Sequence, residues 1–177
     1  MIFPAELETE RLLLRQWRDD DVDALYEIYT QPEFLRFMPA LDRDGTARQI
    51  ESFRGRWQSD GFCLWAADDK ASGTFVGRIG VQRHRDWPLE PHNPVEVGWT
   101  LHRDWWGTGL ATEGGRAATQ CWYDLLLDEP RLLSITRPDN TGSRAVMQRL
   151  GFTFRGQTSW RAFDHVWYAI DRDTWRG

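Results

Sequence analysis

The sequence contains few of the residues that mark secreted or metal-binding proteins. It has only two cysteines, Cys63 and Cys121, too few for a disulfide framework, and we expect both to be buried free thiols. The four histidines show no ligand spacing, so no metal site is predicted. No apolar run approaches the roughly 20 residues that span a bilayer, and no basic-then-apolar signal pattern is present. We therefore expect a cytoplasmic protein with no membrane association.

An excess of positive charge is also missing. The chain has 22 Lys and Arg against 27 Asp and Glu, a formal net charge of −5, which argues against a general nucleic-acid surface. A length of 177 residues with 41% hydrophobic residues suits one globular domain over residues 1–177. The acidic balance is compatible with a cationic amine as substrate, although many acidic proteins have the same balance.

The most informative segment is Trp106-Gly-Thr-Gly-Leu-Ala-Thr-Glu113. It follows a strand-like run, Pro94 to Leu101, and it opens a helical run from about Leu110 to Leu126. A helix N-terminus presents unpaired N–H groups and a positive dipole end, which favours anions. Glycines there let the main chain approach a ligand closely. The segment therefore predicts a phosphate or pyrophosphate site.

Three loop types compete for this segment. A P-loop needs a lysine after its glycines, and none follows here. A dinucleotide fingerprint fits Gly107 and Gly109 but meets Thr112 at its third position, and the segment lies past the middle of the chain. The third type is the acyl-CoA loop of the GNAT superfamily of N-acetyltransferases, Gln/Arg-x-x-Gly-x-Gly/Ala. Gly109 and Ala111 match that pattern, and Trp106 departs from it at the first position.

Two other segments resemble the same superfamily. Pro138 to Phe152 looks like a second signature, in which an asparagine and a small polar residue open a helix that ends in Leu-Gly-Phe. Thr9 to Arg15, followed by Asp19 to Val22, is similar to the start of one branch. That branch contains the ribosomal-protein N-terminal acetyltransferases and many small-molecule relatives, and Trp-Gly-x-Gly-x-Ala-Thr-Glu is a familiar form of the loop in it. The resemblance covers nearly the whole chain.

Strands in mixed order with interspersed helices predict an α/β (α+β) fold with a sheet covered on both faces. The resemblance implies more: a mixed, mostly antiparallel sheet of about seven strands, splayed between the fourth and fifth. The acyl chain of acetyl-CoA, the implied co-substrate, would lie between those two strands.

The resemblance also assigns residues to the donor site. They lie on the strand before the loop, on the loop itself and at the start of the later helix. The oxyanion donor is expected to be the backbone N–H of Gly98 or Trp99, whereas Asn140 and Ser143 also suit helix capping. The expected donor-binding residues are Gly98, Trp99, Leu101, Trp106, Gly107, Thr108, Gly109, Leu110, Ala111, Thr112, Asn140 and Ser143.

Acetyl transfer to an amine needs a proton acceptor, and Glu96 is the candidate. It alternates with two valines on the strand that enters the loop, and a base there requires a pKa near working pH, from burial or a negative neighbour. Ser143 is the candidate for protonating the thiolate, and Tyr168 is an alternative that fits a core role better. Arg155 stands where some relatives have a glutamate, which favours Glu96 and weakens the case for a ribosomal-protein substrate.

These features predict an acetyl-CoA-dependent N-acetyltransferase, a monomer or homodimer with no nucleic-acid partner. The acceptor would be a small-molecule amine, slightly favoured, or a peptide N-terminus. In the superfamily its site is lined by segments that correspond to 34–38 and 87–93 here. Two alternatives stay open: a non-catalytic acyl-CoA-binding module, and a dinucleotide-dependent enzyme.

Overall fold

The computed structural model describes residues 2–177, which form one mixed sheet of eight strands. The N-terminal segment contributes two short antiparallel strands instead of one, so the count exceeds the expected seven. The spatial order is β1-β2-β3-β4-β5-β6-β8-β7, and only β5 and β6 pair in parallel. The predicted fold class is therefore confirmed. The strands are Leu7–Glu8 (β1), Leu12–Arg15 (β2), Leu64–Asp69 (β3), Phe75–Arg83 (β4), Val95–Leu101 (β5), Arg131–Thr136 (β6), Thr153–Trp160 (β7) and Phe163–Asp171 (β8).

Five helices cover the sheet, and local signals explain where several of them begin. The Asp42 carboxylate accepts a hydrogen bond from the N–H of Gly45 at 2.6 Å and so caps the longest helix. Pro32 stands at the first position of the short second helix, where its missing N–H is harmless. The helices are Asp21–Thr30 (α1), Pro32–Leu35 (α2), Arg43–Ser59 (α3), Leu110–Leu125 (α4) and Thr141–Arg149 (α5).

The two faces of β4 carry different helices because its side chains alternate. Helix α4 lies against the odd-numbered face, so closely that a Cβ on Gly114 would come within 2.5 Å of Cδ1 of Ile79. On the even-numbered face, Arg78 contacts Tyr29 of α1, and Gln82 contacts Arg56 of α3. The even-numbered face therefore has polar side chains where the odd-numbered face has apolar packing.

Strands β5 and β6 separate along their length. Only two pairs are in register, Val95 with Leu132 and Glu96 with Leu133, although the strands continue to Leu101 and Thr136. The splay expected between the fourth and fifth strands is present here, if the two N-terminal strands are counted as one. It leaves unpaired main chain on both sides of a gap that opens towards the glycine-rich loop.

The expectation for the two cysteines is correct for one of them. Cys63 is fully buried, but Cys121 is partly exposed because it lies at the margin of the buried face of α4. Burial raises the pKa of each thiol to about 11. Within residues 2–177, no helix is both long and apolar enough to cross a bilayer.

Candidate active site

The glycine-rich loop presents a row of free backbone donors. Gly107 has a φ of 76° and Gly109 a φ of 90°, a backbone region that L side chains rarely adopt. The N–H groups of residues 107–111 form no hydrogen bond within the described chain, and α4 begins directly behind them. Consecutive unpaired N–H groups at a helix start form an anion-binding concavity. The loop therefore has the geometry that a phosphate requires.

Arg11 and Glu113 fix the back of this loop. Nη1 of Arg11 donates to the carbonyl oxygen of Thr108 at 2.9 Å, and its Nε donates to Glu113 at 2.7 Å. Glu113 also accepts from Oγ1 of Thr9 at 2.5 Å. Its carboxylate thus engages the N-terminal segment. Sequence reasoning missed Arg11, since no local signal connects this residue, just before β2, to a loop 97 residues later.

The free main chain in the splay belongs to the odd-numbered residues of β5. The carbonyl of Val97 faces β6, where it accepts from Oγ of Ser134 at 3.0 Å. The N–H of His102 faces the other way and donates to the carbonyl oxygen of Val76 in β4 at 2.9 Å. By alternation, the N–H of Trp99 faces the gap and that of Gly98 faces β4. Of the two expected oxyanion donors, only Trp99 therefore directs its N–H into the splay.

The indole of Trp106 lies at the open end of the splay. Its Nε1 donates to the carbonyl oxygen of Leu101 at 2.9 Å, while 45% of the residue stays exposed. Arg103 lies over the same ring at 5.8 Å and pairs with Glu33 at 2.5 Å. The indole therefore occupies a backbone acceptor that would otherwise face the gap.

Three polar residues lie near the start of α5 and on the strand beneath it. Asn140 caps the helix, because its Oδ1 accepts from the N–H of Ser143 at 3.1 Å. Ser143 is partly exposed in the first turn, and its hydroxyl forms no hydrogen bond within residues 2–177. Tyr168 is buried in the core, and its hydroxyl accepts from Nε of Arg144 at 3.1 Å.

Glu96 is buried at the point where the two strands separate, and only 7% of it is exposed. Its Oε1 accepts from the N–H of Ile135 at 3.2 Å, and its Oε2 accepts from Nε2 of Gln82 at 3.2 Å and contacts Nε2 of His84. Burial pushes the pKa of Glu96 up, but the charge and hydrogen bond of His84 and the other donors lower it below its ordinary value. This direction is opposite to the one expected for an independent base.

His84 was not selected from the sequence, yet it lies against the candidate base. Only 4% of it is exposed, Nε2 contacts Glu96, and Nδ1 has no partner among the described residues. The ring meets Trp160 edge-on, with centroids 4.7 Å apart. Since His84 lies beyond the end of β4, finding it required the register that sets Gln82 opposite Glu96.

A small open space adjoins the Glu96 carboxyl. A Cβ built on Gly98 would have only the Glu96 carboxyl group within 4 Å, at 4.0 Å. Of the two segments expected to line an acceptor, each contributes a core aromatic: Phe34 stacks on Tyr29 and Trp87 packs on Trp160. These two aromatic rings are therefore part of the packed core, and the open space beside Glu96 is at Gly98.

A model of the acetyltransferase (GNAT) domain matches residues 11–153, which include the glycine-rich loop, Glu96 and α5. A curated relative, the uncharacterized N-acetyltransferase YoaA of Bacillus subtilis (strain 168), is 23% identical over 158 residues, or 88% of this chain and 86% of the relative.

Solved structures share the whole fold. An acetyltransferase from Agrobacterium tumefaciens str. C58 is 26% identical, with a TM-score of 0.80 over 95% of this chain and 94% of that one. RimL, a ribosomal L7/L12 alpha-N-protein acetyltransferase in complex with coenzyme A, is 18% identical, with a TM-score of 0.73 over 97% and 98% of the two chains. At 18% identity, the similarity to RimL is a similarity of fold alone.

Proposed function

The chain belongs to the acetyltransferase (GNAT) domain family, and from this membership we propose that it transfers an acetyl group from acetyl-CoA to a primary amine. One observation carries the proposal. The gap between β5 and β6 opens towards five unpaired N–H groups at residues 107–111. A thioester carried on a pyrophosphate-linked arm needs both an anion site and a slot for the arm.

The donor would be bound at both ends. The pyrophosphate would accept from the N–H groups of Gly107, Thr108, Gly109, Leu110 and Ala111. The arm would pair with the free main chain of β5 in the splay and take over the acceptor at Leu101 that the Trp106 indole now occupies. Thr112, Asn140 and Ser143 would line the approach. The coenzyme A complex of the fold relative RimL supports this donor class.

The chemistry would be direct transfer in a ternary complex. The amine nitrogen attacks the thioester carbonyl carbon, and the oxyanion that forms accepts from the N–H of Trp99. Collapse breaks the carbon–sulfur bond and releases the CoA thiolate, a good leaving group because free thiols have a pKa of about 8.5. Ser143 would donate a hydrogen bond to the thiolate and relay to it a proton from water. Binding both substrates in line provides much of the acceleration.

We propose that Glu96 and His84 accept the amine proton together. The low pKa of Glu96 keeps it ionised, so alone it is a weak base. When the His84 ring is neutral, an ionised Glu96 that accepts from Nε2–H of His84 fixes the ring tautomer and leaves a lone pair on Nδ1. The proton would leave the amine for this pair, directly or through one water molecule.

The enclosed position of the Glu96–His84 pair favours one alternative function. Nδ1 of His84 is enclosed, and the carboxylate of Glu96 has three hydrogen-bonding neighbours. A pair closed to acceptors would leave an acyl-CoA-binding module without catalysis. Such a module would bind acetyl-CoA but turn over no amine.

Thiol release from acetyl-CoA, measured with a panel of small amines and short peptides, tests the proposal. We expect turnover by the wild type and a loss of at least about 100-fold in Glu96→Gln, within the range that general bases contribute. Acetyl-CoA affinity should be unchanged in that variant. Glu10→Gln, which changes an exposed glutamate, is the matched control. Binding without turnover across the panel would favour the module, and absence of acetyl-CoA binding would contradict both functions.

A further inference from the structure

Arg78 is a buried cation without a carboxylate partner. Only 9% of the residue is exposed, and no Asp or Glu of residues 2–177 comes within ion-pair distance of its guanidinium. The guanidinium lies instead 5.9 Å from the ring centroid of Tyr29 and 5.7 Å from that of Phe53. Burying an unpaired charge is unfavourable. Such a group is therefore a candidate for binding an anion that comes from outside the chain.

The guanidinium is held by one edge only. Its Nε donates to the hydroxyl of Tyr29 at 2.9 Å, and that hydroxyl donates to Oε1 of Gln49. Neither Nη group forms a hydrogen bond within the described residues, and neither is sealed from solvent. The two Nη groups thus remain available as a planar fork of donors, which suits a carboxylate or a phosphate.

Arg78 shares a sheet face with the proposed base. Arg78 pairs with Thr100, Gly80 with Gly98, and Gln82 with Glu96, so the three pairs form successive rungs on one face. The middle rung has no side chains. Arg78 and Gln82 are four residues apart, about 13 Å along the strand, and both side chains extend over part of that span. Gly80 is buried against β3, where a Cβ would lie 2.8 Å from Cα of Leu64, so Gly98 is the open position of this rung. The groove from Arg78 past Gly98 to Glu96 therefore has a cation at one end and an ionised carboxylate at the other.

We propose that the acceptor is an amine that also carries an oxyanion group, a carboxylate or a phosphate, and that Arg78 binds this group. The proposal rests on the proposed acetyl transfer, because it assigns the reactive nitrogen to the Glu96 end of the groove. The oxyanion keeps its charge through the reaction and only positions the amine. Arg78 is thus a specificity residue, and Tyr29 positions it.

Matched acceptor pairs test this directly. Each pair has the same amine with and without the oxyanion: 3-aminopropanoate and its amide, 4-aminobutanoate and its amide, and phosphoethanolamine and ethanolamine. We expect the wild type to favour the anionic member by at least tenfold in kcat/KM. The chain-length series and the phosphate pair distinguish which oxyanion at which spacing fits. No preference for any anionic member would overturn the proposal.

Variants then assign the preference to Arg78. We expect Arg78→Gln to remove it by raising KM for the anionic members, while kcat/KM for the neutral members stays within about twofold. Arg78→Lys keeps the charge without the fork and should restore part of the preference. Arg48→Gln, which removes an exposed arginine of α3, is the charge control. A preference retained in Arg78→Gln would show that another group binds the anion.

A binding measurement separates this inference from the proposed function. Calorimetric titration of the anionic acceptors into the protein saturated with CoA reports affinity without chemistry. Tenfold weaker binding to Arg78→Gln than to the wild type would support the anion site. If, in addition, the wild type acetylates no amine, the anion site stands and the transferase is rejected. Turnover by the wild type, together with equal affinity of the wild type and Arg78→Gln for the anionic acceptors, would support the transferase and reject the anion site. Failure of every anionic member to bind would also reject the anion site.

Discussion

The molecule contains two buried arginines with opposite surroundings. Arg15, 4% exposed, donates to both oxygens of Asp21 at 2.8 Å and to both oxygens of Asp68 at 2.5 and 2.9 Å. Arg78, 9% exposed, donates only to the Tyr29 hydroxyl. We call Arg15, Asp21 and Asp68 the paired cluster. The contrast shows that this chain can satisfy a buried guanidinium fully, and that at Arg78 it does not.

The same contrast extends across the sheet. The paired cluster connects β2, β3 and α1, and its ion pairs lie within the folded chain. The incompletely paired groups that adjoin the proposed site are the Nη groups of Arg78, Nδ1 of His84 and the N–H groups of residues 107–111. Other buried side-chain atoms without a partner among the described residues lie outside the site, in Gln16, Asp60, Trp87, Trp122 and Arg137. Buried polar groups without a hydrogen-bond partner cost stability, so we expect them where a bound ligand supplies the missing partner. Four predictions test this division.

The largest expected effect on stability is in the paired cluster. Arg15→Gln leaves Asp21 and Asp68 buried without a counter-charge, and breaking a buried pair in this way costs about 3–5 kcal/mol. Urea denaturation measures the change. Arg43→Gln, which breaks an exposed pair with Asp23, should cost at most about 1 kcal/mol. A cost for Arg15→Gln as small as that of the control would contradict the structural role.

Gly109→Asp should abolish acetyl-CoA binding. Gly109 has a φ of 90°, and an aspartate there adds a negative charge beside N–H groups proposed to hold pyrophosphate. We expect at least about 100-fold weaker binding in calorimetry, or about 2.8 kcal/mol. Gly73→Asp is the matched control for backbone strain, because Gly73 also has a positive φ and open surroundings. Affinity that survives Gly109→Asp would show that the donor binds elsewhere.

Acid should reveal the lowered pKa of Glu96. A carboxylate whose folded pKa lies below its unfolded value, about 4.3, stabilises the fold above that value. This contribution is lost as pH falls through the folded pKa. The stability difference between wild type and Glu96→Gln should therefore be constant from about pH 5 to pH 6 and shrink below about pH 4. Denaturant midpoints measured at each pH provide the test, and a difference that widens in acid would mean a raised pKa.

The smallest expected change in stability is at Arg78. Arg78→Met removes a buried cation that has one hydrogen bond and fills much of the same volume, so the variant should be unchanged or about 1 kcal/mol more stable. Unlike Arg15→Gln, Arg78→Met should therefore not lower the free energy of unfolding in the same urea assay. Destabilisation as large as that of Arg15→Gln would make Arg78 a structural residue and remove the contrast.

Local signals in the sequence identified the donor side of the site. The start of α4 at Leu110 and the end of β5 at Leu101 agree with the predictions, because glycine and hydrophobic alternation act within a few residues. Period-two alternation also set Glu96 on the face opposite the two valines. The family resemblance supplied the splay, which the register of β5 and β6 confirms.

Other contacts of the site join residues far apart in the chain, so no local pattern reports them. Arg11 reaches a loop 97 residues away, Arg78 reaches a tyrosine 49 residues away, and Glu96 accepts from Ile135, 39 residues away. Even His84, 12 residues from Glu96, needs the β4–β5 register.

By itself, the sequence determined the fold class, the family and the glycine-rich loop, because these depend on residue types at fixed short spacings. Only the tertiary structure decided which buried charges are paired. A pKa or an unfilled hydrogen bond depends on donors and acceptors that distant elements bring within about 3 Å. The lowered pKa of Glu96, its contact with His84 and the free Nη groups of Arg78 are all consequences of that packing.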